Sequence, residues 1–63
     1  MKSKTYYMSN SAVNSGVLSA VINEFPAFIR KEIIELNCYK VEVTARSEDW
    51  GAINEKLSAV SLA

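Results

Sequence analysis

Hydrophobic positions along this chain change period several times, and each change marks an element. Thr5 to Met8 is rich in strand formers, with Tyr6 and Met8 on one face and Thr5 and Tyr7 on the other. Ser9, Asn10 and Ser11 then offer N-caps for a helix running to about Glu24. Within it the four-residue rows sort cleanly. Val13, Val17, Val21 and Phe25 form one row, Asn14, Leu18 and Ile22 another, Ala12, Gly16 and Ala20 a third, and Ser11, Ser15, Ser19 and Asn23 the last. At ~100° per residue the apolar members sweep roughly 200°, wider than a surface helix needs, so most of this helix is expected to be covered. The row through Gly16 would let another backbone approach, although glycine there lowers helix propensity by about 1 kcal/mol.

Pro26 interrupts this pattern, because it cannot donate to Ile22 and disfavours a helical Phe25. Beyond it Phe28, Ile29, Ile33 and Leu36 resume an apolar stripe, with Arg30, Lys31, Glu32 and Glu35 on the wet side, which predicts a second helix. One kinked helix is the alternative, since Val21, Phe25, Ile29 and Ile33 keep a four-residue spacing across the proline. Asn37 is expected as a left-handed cap closing the helix. Cys38 to Arg46 alternates strictly, with Tyr39, Val41, Val43 and Ala45 against Lys40, Glu42, Thr44 and Arg46, and reads as a strand. Ser47 caps a last helix with Glu48 and Asp49 in its first turn and Trp50, Ile53, Leu57 and Val60 as its core stripe.

The pattern predicts an α+β fold in the order strand, helix, helix, strand, helix. It forms one domain over residues 1–63, with residues 1–4 expected to be flexible. Two strands joined by a helical crossover would, if adjacent, be parallel. Two strands make a weak sheet, so a homodimer that pairs its edges into a four-stranded one is expected.

Composition sharpens this expectation. A domain of 63 residues buries only about 60% of its unfolded surface. Cys38 is the sole cysteine and there is no histidine, so neither an internal disulfide nor a zinc site is available as a staple. Seven basic residues balance seven acidic ones, which gives nucleic acid and anionic membranes no electrostatic support. The uncharged run from Thr5 to Asn23 is too rich in hydroxyl and amide groups for a membrane span, and a cytoplasmic setting is expected.

Chemistry finds few footholds. Without histidine there is no common general base, and Cys38 has no imidazole to activate it. Glu32 with Glu35, and Glu48 with Asp49, read as a solvated helix face and a helix start. No glycine-rich phosphate loop or metal-ligand cluster occurs, so no enzyme activity, cofactor or metal is expected. What stands out is neutrality. Tyr7, Ser15, Gly16, Ser19 and Asn23 form the candidate protein-contact positions, and the expected function is a non-catalytic protein-binding module, a regulator or inhibitor, acting on itself or another protein. A structural subunit of a larger assembly is one alternative. Another comes from the strand-helix-helix beginning, which is similar to that of ribbon-helix-helix DNA-binding dimers; on that comparison Lys2, Lys4 and Tyr6 would share the reading face.

Overall fold

The computed structural model describes residues 1–62. Strand β1 (Lys2–Met8) leads through two short helices, α1 (Asn10–Val13) and α2 (Val17–Glu24), to strand β2 (Ala27–Glu35). A tight turn returns the chain as strand β3 (Cys38–Ala45), and a single 3-10 turn (Ser47–Asp49) opens helix α3 (Trp50–Ser58). The sheet has three strands in the order β1-β3-β2, and both pairings are antiparallel. The α+β class and the succession of strand, two helices, strand and helix hold, but both early helices precede Pro26.

The segment after Pro26 is therefore corrected from helix to strand. Phe28, Ile29, Ile33 and Ile34 are aromatic or β-branched and suit a pleated surface. The helical spacing of their apolar positions concealed this, because Arg30, Lys31 and Glu32 interrupt the alternation. Pairing with β3 from Ala27 opposite Ala45 to Ile33 opposite Tyr39 supplies hydrogen bonds that local periodicity does not reveal. Phe25, extended at φ −128° and ψ 148°, ends α2 before Pro26, so the proline neither kinks a helix nor starts one. Asn37 is left-handed as expected, at φ 61°, but as a hairpin residue between Glu35 and Cys38.

That extra strand also reverses the expected pairing. The helical crossover joins β1 to β2, which run parallel, and the hairpin then inserts β3 between them, antiparallel to both. β1 pairs from Lys2 opposite Ala45 to Met8 opposite Tyr39.

The long helix expected from Ser9 to Glu24 is broken at Gly16, whose φ of 92° places it in the left-handed region. Its missing Cβ serves that turn and not a close approach, since nothing lies within 4 Å of where the Cβ would be. Ser9 Oγ accepts from the Ala12 N–H at 3.2 Å, capping α1, and Ser15 Oγ donates to the Ala12 carbonyl at 2.6 Å. Nor is this stretch mostly covered. In α2 only Leu18 and Val21 are buried, while Ser19, Ala20, Ile22 and Asn23 are exposed.

The helices cover one face of the sheet. Tyr6 and Met8 from β1, Val41, Val43 and Ala45 from β3, Leu18 and Val21 from α2, and Ile53 and Leu57 from α3 form the buried core. Trp50 packs at its rim, and its indole N–H reaches the carbonyls of Lys2 at 3.1 Å and Ala45 at 3.3 Å, tying α3 to β1 and β3. The other face carries Ser3, Thr5 and Tyr7, then Lys40, Glu42 and Thr44, then Phe28, Arg30 and Glu32, and none of the described helices packs on it.

Candidate functional site: an open sheet edge

Strand β2 is an edge that contributes nothing to the buried core. Its apolar residues Ala27 and Ile29 are partly covered, whereas Phe28 is 70% exposed, Ile33 68% and Ile34 44%, and Leu36 just beyond is fully exposed. On α2, which packs over β2, Ile22 is also half exposed. Scattered apolar residues on a surface need no explanation, but these are gathered on and around one strand.

Backbone polarity marks the same edge. The Tyr7 carbonyl accepts the Leu62 N–H at 2.7 Å, so it points away from β3. Tyr7 stands opposite Lys40, whose backbone groups consequently turn the other way, toward Glu32. By the same alternation Arg30 and Glu32 bond to β3, while Ile29, Lys31 and Ile33 direct their N–H and C=O groups outward. Among the described residues no hydrogen bond outside the β2–β3 ladder reaches β2, whereas Leu62 and Ser61, whose hydroxyl lies 3.4 Å from the Tyr7 carbonyl, cover part of the β1 edge.

The side chains of β2 also carry a charge pattern. Arg30 faces Glu42 and Glu32 faces Lys40 across the ladder on the open face, while Lys31 and Ile33 lie on the helix-side face beside Val41 and Tyr39. These positions were not singled out from the sequence as contacts. The available signal was the Leu36-Asn37 turn between two strand-compatible runs, which would have turned the segment into a hairpin arm.

The predicted contact residues do not form one patch. Tyr7 sits on the open face of β1, and Ser19 and Asn23 lie one turn apart on α2, in the layer on the opposite face. Ser15 and Gly16 occupy the break between the two helices. All five are exposed.

Elsewhere the polar geometry holds elements together. Asn54 Oδ1 accepts from Tyr6 OH at 2.7 Å and from Lys4 Nζ at 2.8 Å, linking α3 to β1, and Lys4 Nζ lies 5.4 Å from the Tyr6 ring centre. Burial pushes the Tyr6 phenol above its ordinary range. The hydrogen bond from Arg46 Nε to Asp49, 2.9 Å long, raises the guanidinium further above its own. Lys2, Lys4 and Tyr6 share the face of β1 turned toward α3, where Lys4 and Tyr6 bond to Asn54 while Lys2 and Lys4 stay exposed. Among the described residues no group of three or more His, Cys, Asp or Glu is placed to hold a metal ion, and no helix is long and apolar enough to cross a membrane.

The arrangement is thus a three-stranded antiparallel sheet with helices on one face, whose β2 edge is open among the described residues and whose β1 edge is met at Tyr7 by Ser61 and Leu62. Comparison with protein-family models, with curated proteins and with solved structures gives no match.

Proposed function

We propose that this chain is a non-catalytic protein-binding module, of the kind that serves as a regulator or inhibitor, and that its docking element is β2. A polypeptide in extended conformation would add to the sheet beside β2, bonding to Ile29, Lys31 and Ile33. Its side chains would cover Phe28 and Ile33. The observation that carries this reading is the combination on one strand of large exposed apolar side chains with outward backbone groups that no other described residue meets. Covering an exposed isoleucine fully contributes about 1.5–3 kcal/mol, so a few such residues suffice for a specific contact.

Selection from a random peptide library on the immobilised chain at low density tests it. The wild type is expected to enrich peptides with alternating apolar residues. Lys31→Pro should lose them while keeping its circular dichroism spectrum, because the Lys31 N–H points outward and its removal spares the bonds to β3. Retention of the peptides by Lys31→Pro, or no enrichment at all, would show that β2 is not the docking strand.

A further inference from the structure

The charge pattern of β2 says which polypeptide fits it. We infer that the partner is a second copy of this chain, joined antiparallel, β2 to β2, about a two-fold axis through the sheet beside Lys31. This inference rests on the reading of β2 as the docking strand. Two copies can hydrogen-bond along this edge only where outward-facing residues meet outward-facing residues, which keeps the helices of both copies on the same side.

That condition leaves few central registers, and side chains choose among them. An axis at Arg30 sets Arg30 against itself and Ile29 against Lys31; an axis at Glu32 sets Glu32 against itself and Ile33 against Lys31. An axis at Lys31 sets Arg30 against Glu32 of the partner subunit and Ile29 against Ile33 of the partner subunit, each pair occurring twice. Only the two lysines on the axis are alike.

Complementarity extends beyond the joining strands. On the open face the row through Lys40 and Glu32 continues through the partner's Arg30 to the partner's Glu42, so the sign of charge alternates at every step. On the helix side the row through Val43 and Ile29 continues through the partner's Ile33 to the partner's Tyr39, apolar throughout. The register covers Ile33, at 68% one of the most exposed residues of the edge, with a side chain of its own kind. It stays within the regular part of β2, clear of the irregularity between Ile33 and Glu35. Two three-stranded sheets become one sheet of six strands.

Sedimentation across a concentration series provides the test, with circular dichroism to verify folding of every variant. The wild type is expected to dimerise, and Lys31→Thr, which removes the like charges on the axis, to dimerise a few-fold more tightly. Arg30→Glu alone sets four carboxylates at the joint, and Glu32→Arg alone sets four guanidinium groups there, so each should sediment as a monomer where the wild type is a dimer. Mixed in equal amounts, the two variants satisfy both pairs and should recover a heterodimer. A wild type that is monomeric at every attainable concentration, or a mixture no more associated than its components, overturns the inference. If peptides still select β2 in that event, the docking-strand reading stands without self-pairing; if they do not, both fall.

Discussion

Tyr6 shows how one side chain can carry both packing and a pH response. Its ring is buried in the core and its hydroxyl donates to Asn54 on α3, so ionisation would both desolvate a charge and remove a donor. With the folded phenol raised above the ordinary value of 10.0, the folded state holds its proton to higher pH than the unfolded chain does. Its contribution to stability is therefore complete below the unfolded value and is lost as pH climbs through the folded one. Thermal unfolding followed from neutral to strongly alkaline pH should show a steeper decline for the wild type than for Tyr6→Phe, and parallel declines would exclude Tyr6 as the cause. The Phe variant should start about 1 kcal/mol lower, from loss of the bond to Asn54. Tyr6 was legible as a strand residue on the Met8 face. Its tie to Asn54 was not, because the two lie far apart in sequence and only the packing of α3 over β1 brings them together.

Among the elements, the two glycines offer a matched comparison. Gly16 turns the chain between α1 and α2 at positive φ, while Gly51 lies within α3, and a Cβ at either would meet nothing within 4 Å. Gly16→Ala is expected to lower stability by about 1 kcal/mol through backbone strain alone. Gly51→Ala should raise it by about 0.5–1 kcal/mol through helix propensity. In a domain this small, each kcal/mol moves the melting temperature by roughly 4–8 °C, so calorimetry resolves the opposite signs. The elements divide in the same way between what is local and what is not. β3 was readable because one face is buried and the other wet, which writes strict alternation into its residues. β2 was misread because it lies at the edge, where no core enforces alternation and Arg30, Lys31 and Glu32 follow one another. The expected contact face on the early helix had the same weakness. Its rows assumed one unbroken helix, and Gly16 breaks the rows where Ser15 and Ser19 were meant to align.

At the scale of the molecule, a single layer of helix on a three-stranded sheet gives a slender body, 33 by 18 by 18 Å, with a core supplied by β1, β3, α2 and α3. The β2–β3 hairpin is local, whereas β1 closes onto β3 from the far end of the early half of the chain, a distant pairing that the lone Cys38 cannot staple with an internal disulfide. The contact of Leu62 with Tyr7 bears on what such a body can build. A sheet with one available edge has a valence of one, and association through it terminates at a pair. A sheet with two has a valence of two, and nothing then limits growth. By holding the Tyr7 carbonyl, Ser61 and Leu62 would cap that end of the β1 edge and act toward the first case, as a chain terminator does in the polymer chemist's sense. If copies pair through β2 as proposed, truncation after Val60 should turn dimers into species whose size rises with concentration, visible by light scattering, and an unchanged size would show that β1 is silent even when uncovered.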